Sequence, residues 1–174
     1  LTASADSQLE SDQLDTNLGV SVAGAGDVND DGYADVIVGA PVYDLEEDSL
    51  NLSETGRVPI KVGAAFVFHG SSAGIASGNP STADTQLMGG PPGNAANVKK
   101  KGGLMGWSVA GAGDVDNDGY SDVIVGAYRY DAGETDEGAA FVFFGSAGGI
   151  VVNGNPANAD IQLEANQMLA QLGF

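Results

Sequence analysis

Two short stretches concentrate the residues best equipped for chemistry. Asp27 to Asp35 reads DVNDDGYAD, and Asp114 to Asp122 reads DVDNDGYSD. Both follow D-x-[ND]-x-D-G-x-x-D, offering Asp27, Asn29, Asp31 and Asp35 in one loop and Asp114, Asp116, Asp118 and Asp122 in the other. Carboxylates crowded this closely repel one another unless a cation offsets the repulsion. Ligands at every second position converge when the backbone curls around a hard ion, and oxygen-only donors suit Ca2+ at about 2.3–2.6 Å. Gly32 and Gly119, sixth in each loop, permit the sharp turn. Tyr33 and Tyr120 at the seventh place would contribute backbone carbonyls. The expected cofactor is therefore Ca2+, with two sites per chain.

Two other readings compete. An EF-hand needs Glu at position twelve and a helix after the loop. Position twelve is Val38 or Val125, inside a β-branched run, so that reading fails. An ion-free turn is the second, since Asp, Asn and Gly favour turns without any ligand. Recurrence of the loop with every ligand place kept, each time leading into DVIVGA, weighs against it.

The elements that must position these loops recur with them. LGVSVAGAGDVNDDGYADVIVGAPVYD (18–44) aligns without a gap on MGWSVAGAGDVDNDGYSDVIVGAYRYD (105–131). GAAFVFHGSSAGI (63–75) then matches GAAFVFFGSAGGI (138–150), and NPSTADTQL (79–87) matches NPANADIQL (155–163). The ends align too: QLESDQLDTNLGV (8–20) lies on QLEANQMLAQLGF (162–174), so the chain reads as two units cut from a longer array. Each unit supplies four short strand signals, SVAGA, DVIVGA, AAFVF and ADxQL, and no window sustains a helical period. Four antiparallel strands, repeated, predict an all-β chain of two β-propeller blades belonging to a larger ring. The expected divisions are 1–17 (last strand and linker of a preceding repeat), 18–88 (first blade), 89–104 (inter-blade loop), 105–164 (second blade) and 165–174 (start of a following repeat).

Composition narrows the function. The chain has 174 residues, 24 acidic against 6 basic, and a net charge of −18. Phosphate binding needs clustered Lys and Arg, so nucleic acid is excluded as a partner. The one basic run, Lys99–Lys101, reads as a solvated loop. With no Cys there are no disulfides or thiolate metal sites, and no apolar run of membrane-spanning length occurs, so membrane insertion is not expected. The N-terminus shows no signal-peptide pattern.

The order LG-x-SVA, GD-x-[ND]-x-DGY-x-DVIVGA, GAAFVF-x-G resembles the FG-GAP repeat, which builds the propeller of integrin α subunits and related bacterial and secreted proteins. The Phe-Gly place holds Leu18–Gly19, Met105–Gly106 and Gly173–Phe174; the Gly-Ala-Pro place holds Gly39–Ala40–Pro41 and Gly126–Ala127–Tyr128. The resemblance implies structural calcium in the loop joining the first two strands of a blade. It also implies a non-catalytic module for protein–protein or adhesive recognition, extracellular or at the cell surface. A protein or glycan ligand would meet the opposite face, formed here by 43–62, 88–104 and 129–137. The propeller portion of a secreted hydrolase is an alternative, but no catalytic constellation supports it.

Two isolated blades would leave two apolar faces in water. Self-association of several chains into one closed ring is therefore also expected. Five further residues read as structural. His69 faces Phe144 in the alignment and reads as packing, Trp107 replaces Val20 and reads as core, and Asp6, Asp84 and Asp160 recur before the last strand as turn or cap residues.

Overall fold

A computed structural model describes residues 5–44, 61–90 and 103–174. The acidic stretch 45–48, the Lys99–Lys101 run and most of segments 43–62 and 88–104 lie outside the described residues.

The strands are β1 Ser21–Gly26, β2 Asp35–Ala40, β3 Ala64–Phe68, β4 Thr85–Met88, β5 Ser108–Gly113, β6 Asp122–Ala127, β7 Ala139–Phe143 and β8 Ile161–Glu164. They form two antiparallel four-stranded sheets, ordered β1-β2-β3-β4 and β5-β6-β7-β8. All four strand signals of each repeat are thus strands, in the register the repeat requires: Val38 opposite Phe66, and Val125 opposite Phe141. Among the described residues the helical element is a 3-10 turn, Pro80–Thr82, capped by Asn79. No helix among the described residues is long and apolar enough to cross a membrane.

The apolar runs are nearly continuous because the first sheet is covered on both faces. Ile37, Ala65, Val67 and Leu87 point toward the second sheet and join Val109, Val123, Val125, Phe141 and Phe143 in one core. Val38, Phe66 and Phe68 point the other way and are covered by Leu9, Leu18 and Ile75. The second sheet therefore meets the first with the face that corresponds to the first sheet's opposite side, which is head-to-tail stacking.

Equivalent positions show where that stacking stops. Val109 is 9% exposed against the first sheet, whereas its counterpart Val22 is 66% exposed. Leu87 is fully buried beneath the second unit, whereas its counterpart Leu163 is 48% exposed. The two open faces expected from the sequence are present, and terminal segments fill part of each. Leu9 bridges Gly78 as Leu87 bridges Gly154, and Leu172 bridges Gly138 as Met105 bridges Gly63. The N-terminal segment, expected as the last strand and linker of a preceding repeat, pairs with this chain's own first blade at Gly78.

The start of each repeat docks on the blade before it. Gly106, at φ +84°, sits where an added Cβ would overlap the carbonyl oxygen of Ala64, and an added Cβ on Gly39 would overlap the carbonyl oxygen of Gly106. Gly173 repeats the arrangement on Ala127 and Ala139. Backbone touches backbone there, which no side chain would permit. Trp107 is half-buried rather than a core residue. Its ring centroid lies 4.7 Å from Tyr128 and 5.5 Å from Phe174.

Candidate metal centre

Each Asp-rich loop joins the first two strands of its sheet, β1 to β2 and β5 to β6. A bulge where β1 meets β2, between Gly24 and Gly26, and its counterpart between Gly111 and Gly113, bends the chain out of the ladder. The fourth loop residue is left-handed in both loops, Asp30 at φ 55° and Asn117 at 63°, a conformation that Asp and Asn tolerate. Gly32 and Gly119 follow at φ 87° and 101°, so the sharp turn predicted at the sixth place is present.

The side chains then hold the loop's own backbone. Asp27 accepts hydrogen bonds from the Asp31 and Gly32 amides at 3.0 and 2.8 Å. Asn29 accepts from the Asp31 amide at 3.2 Å, and Asp31 accepts from the Tyr33 amide at 2.9 Å. The second loop repeats the set: Asp114 accepts from Asp118 and Gly119, Asp116 from Asp118, and Asp118 from Tyr120. The ninth residue differs in kind. Asp35 and Asp122 are buried, and each carboxylate spans two backbone amides: Val28 and Gly70 for Asp35, Val115 and Gly145 for Asp122. That residue ties the loop to the end of the third strand.

Of the residues singled out by spacing, Asp114, Asp116 and Asp122 bring carboxylate oxygens within 4.8 Å of one another. Asp118 lies outside this close group and belongs to the same turn through its bond to Tyr120. Loop one has the same hydrogen-bonding pattern, with the amide of Asn29 in place of Asp116. The donor set is oxygen-only, as a hard divalent cation requires, so the residues fit such an ion. The Asp116 carboxyl has its pKa raised, first by desolvation and then by the charge of Asp118, with Asp122 and Asp114 adding to it. Proton and cation would thus compete at the centre of the loop.

Asp84 and Asp160 cap the neighbouring turn as the repeat suggested, accepting from the amides of His69 and Phe144 at 2.7 and 2.8 Å. His69 does more than fill space. Its Nδ1 lies 3.4 Å from Asn29 Nδ2 and 3.7 Å from an Asp84 oxygen, and its buried Nε2 has no hydrogen-bond partner. Sequence reasoning passed over three features. Glu137 is buried and gathers the amides of Ala132 and Glu134 at 2.8 and 3.0 Å. Ser121 and Ser146 reach across to the first loop. No residue-type pattern marks the two serine contacts, because each depends on where the second sheet sits.

Two stacked four-stranded antiparallel sheets, each with an Asp-rich loop between its first two strands, define tandem propeller-type blades. The FG-GAP repeat model matches residues 18–60 and 105–143, and the chain belongs to that family, carrying two of its repeats. Human integrin alpha-IIb is 33% identical over 145 residues, covering 82% of this chain and 12% of that protein. Human integrin alpha-6 is 34% identical over 113 residues, covering 65% of this chain and 7% of that protein. Integrin alpha pat-2 of Caenorhabditis elegans is 37% identical over 112 residues, 64% of this chain and 7% of that protein. The chain thus spans about a tenth or less of the length of these relatives.

Proposed function

We propose that this chain is a non-catalytic, calcium-stabilised recognition module of an extracellular or cell-surface protein. Asp27, Asn29, Asp31, the Tyr33 carbonyl and Asp35 hold one ion; Asp114, Asp116, Asp118, the Tyr120 carbonyl and Asp122 hold the other. The observation that carries the reading is the convergence of Asp114, Asp116 and Asp122 oxygens within 4.8 Å, in a loop whose turn is already set by its own amides. Calcium supplies positive charge at that convergence. The ligands hold the β1–β2 and β5–β6 turns in shape, and Asp35 and Asp122 pass that order to the ends of β3 and β7. Free calcium outside cells suffices even for weak sites. A protein or glycan would be met by the opposite end of the sheets, where segment 129–137 lies.

Calorimetric titration tests the assignment. Two calcium ions per chain are expected at neutral pH. Because the Asp116 pKa is raised, binding to loop two is full above that raised value and weakens as pH falls through it. No uptake of calcium, or affinity unchanged on acidification to the range where carboxylates protonate, would contradict the reading.

A further inference from the structure

The first Asp-rich loop is not held by its own blade alone. Ser121 stands between Tyr120 and Asp122, two proposed ligands of loop two, yet it grips both backbone groups of Asp27, the first ligand of loop one. The Asp27 amide donates to Ser121 Oγ at 3.2 Å, and the Ser121 amide donates to the Asp27 carbonyl at 2.9 Å. A second route runs alongside. Asp122 Oδ1 accepts from the Gly145 amide at 2.9 Å, and the next amide, Ser146, donates to the Val28 carbonyl at 3.1 Å. The Val28 amide in turn donates to Asp35 Oδ2 at 2.7 Å. Val28 is fully buried, so neither bond on it is exchanged readily with water.

The ninth-position carboxylates of the two loops are thus connected across the blade interface by a chain of three hydrogen bonds, each donated by a backbone amide. The first and eighth positions are connected by the Ser121 clamp. The arrangement is directional: Asp114 has no such cross-blade clamp among the described residues. The counterpart of Ser121 in loop one is Ala34, which offers no side-chain acceptor.

Resting on the calcium reading above, we infer that Ser121 is a positioning residue for the first cation site, donated by the loop of the second, and that the two sites therefore bind cations with positive coupling. An ion in loop two fixes the backbone from Tyr120 to Asp122. That holds Ser121 and, through Gly145, Ser146 where loop one needs them. Loop one then loses less freedom when its own ion arrives. Linkage requires the reciprocal effect at equal magnitude. Loop two carries four ligand carboxylates against three in loop one, so it fills first and loop one reports the coupling.

The test is calcium calorimetry on four forms of the full chain: the parent, Asp116→Asn/Asp118→Asn, Ser121→Ala, and the three changes together. The asparagines keep the oxygens that accept from the Asp118 and Tyr120 amides while removing the charge that holds the ion. Ser121→Ala installs the residue that loop one already uses at this place. Disabling loop two is expected to weaken loop one's binding by roughly fivefold or more, within the usual range of coupling between sites. In the Ser121→Ala background that ratio is expected to shrink but stay above one, because the Ser121 amide and the Ser146–Val28 bond remain, a pattern that a general loss of stability would not produce. An unchanged affinity of loop one when loop two is disabled overturns the coupling while leaving the two sites standing. A ratio that persists undiminished in Ser121→Ala overturns the role of Ser121. Absence of calcium uptake in the parent overturns the calcium reading itself, and the coupling with it.

Discussion

Replacing Asp122 with alanine is expected to destabilise the chain by roughly 3 kcal/mol, even in the presence of a chelator. Its carboxylate is fully buried and accepts from the amides of Val115 and Gly145 at 2.7 and 2.9 Å. Alanine leaves both donors without a partner, and each unsatisfied buried group costs about 1–3 kcal/mol. Relief of repulsion from the neighbouring carboxylates offsets only part of that loss. For a domain of this size the melting temperature should fall by roughly 10 °C. Asp118→Ala provides the contrast, because Asp118 is exposed and its carboxylate accepts one bond, from the Tyr120 amide. It should matter little in chelator and substantially in calcium. Thermal melts of both variants in both buffers check this. Equal losses for the two in chelator would show that the ninth position has no special role in holding the loop.

Gly106→Ala is expected to do comparable damage by a different route. The residue has φ +84°, and its new Cβ would meet the Ala64 carbonyl oxygen and crowd the Ala40 amide. Neither neighbour is a flexible side chain, so the start of the second repeat must move off the first sheet. Gly19→Ala isolates the backbone part of the cost, since Gly19 has φ +86° and nothing within 4 Å of an added Cβ. Left-handed backbone alone costs an L-residue about 1–2 kcal/mol. Gly19→Ala should lose about that much, and Gly106→Ala roughly 3 kcal/mol or more, with lost contact between the sheets. Denaturant melts of the pair decide it. Equal losses would mean that the close backbone approach between repeats contributes nothing beyond the turn itself.

Repetition made the fold legible from sequence. A strand signal such as DVIVGA is ambiguous once, but its return with the same neighbours assigned β2 and β6, and the four signals per unit became the four strands of each sheet. The Asp-rich loop was legible because its chemistry is local: spacing alone places Asp114 and Asp116 near each other, and Gly119 at the turn. What was illegible depends on contacts distant in sequence. The spacing gave position nine the same standing as the other ligands, yet Asp35 and Asp122 are also buried anchors, because their partners Gly70 and Gly145 arrive from the next strand. Nothing near Ser121 in the sequence announces that Asp27 lies against it. His69 looked like packing because its counterpart is Phe144, and an alignment of two units cannot show a nitrogen left unpartnered at their interface. Trp107 looked like core, yet the Phe174 that it meets belongs to the start of the next repeat.

The central claim is that calcium is part of this fold, holding the turn between the first two strands of each blade. The most direct test is the melting temperature of the full chain at neutral pH, in millimolar calcium and again in excess chelator. A ligand bound only by the folded state adds stability that grows with its concentration over Kd, about 2.7 kcal/mol at a hundredfold excess for one site. The expected result is a melting temperature that rises steadily with calcium and falls back in chelator, with Asp31→Ala and Asp118→Ala each removing part of the rise. Identical melting in the two buffers would contradict the account, leaving both loops as turns held by their own hydrogen bonds.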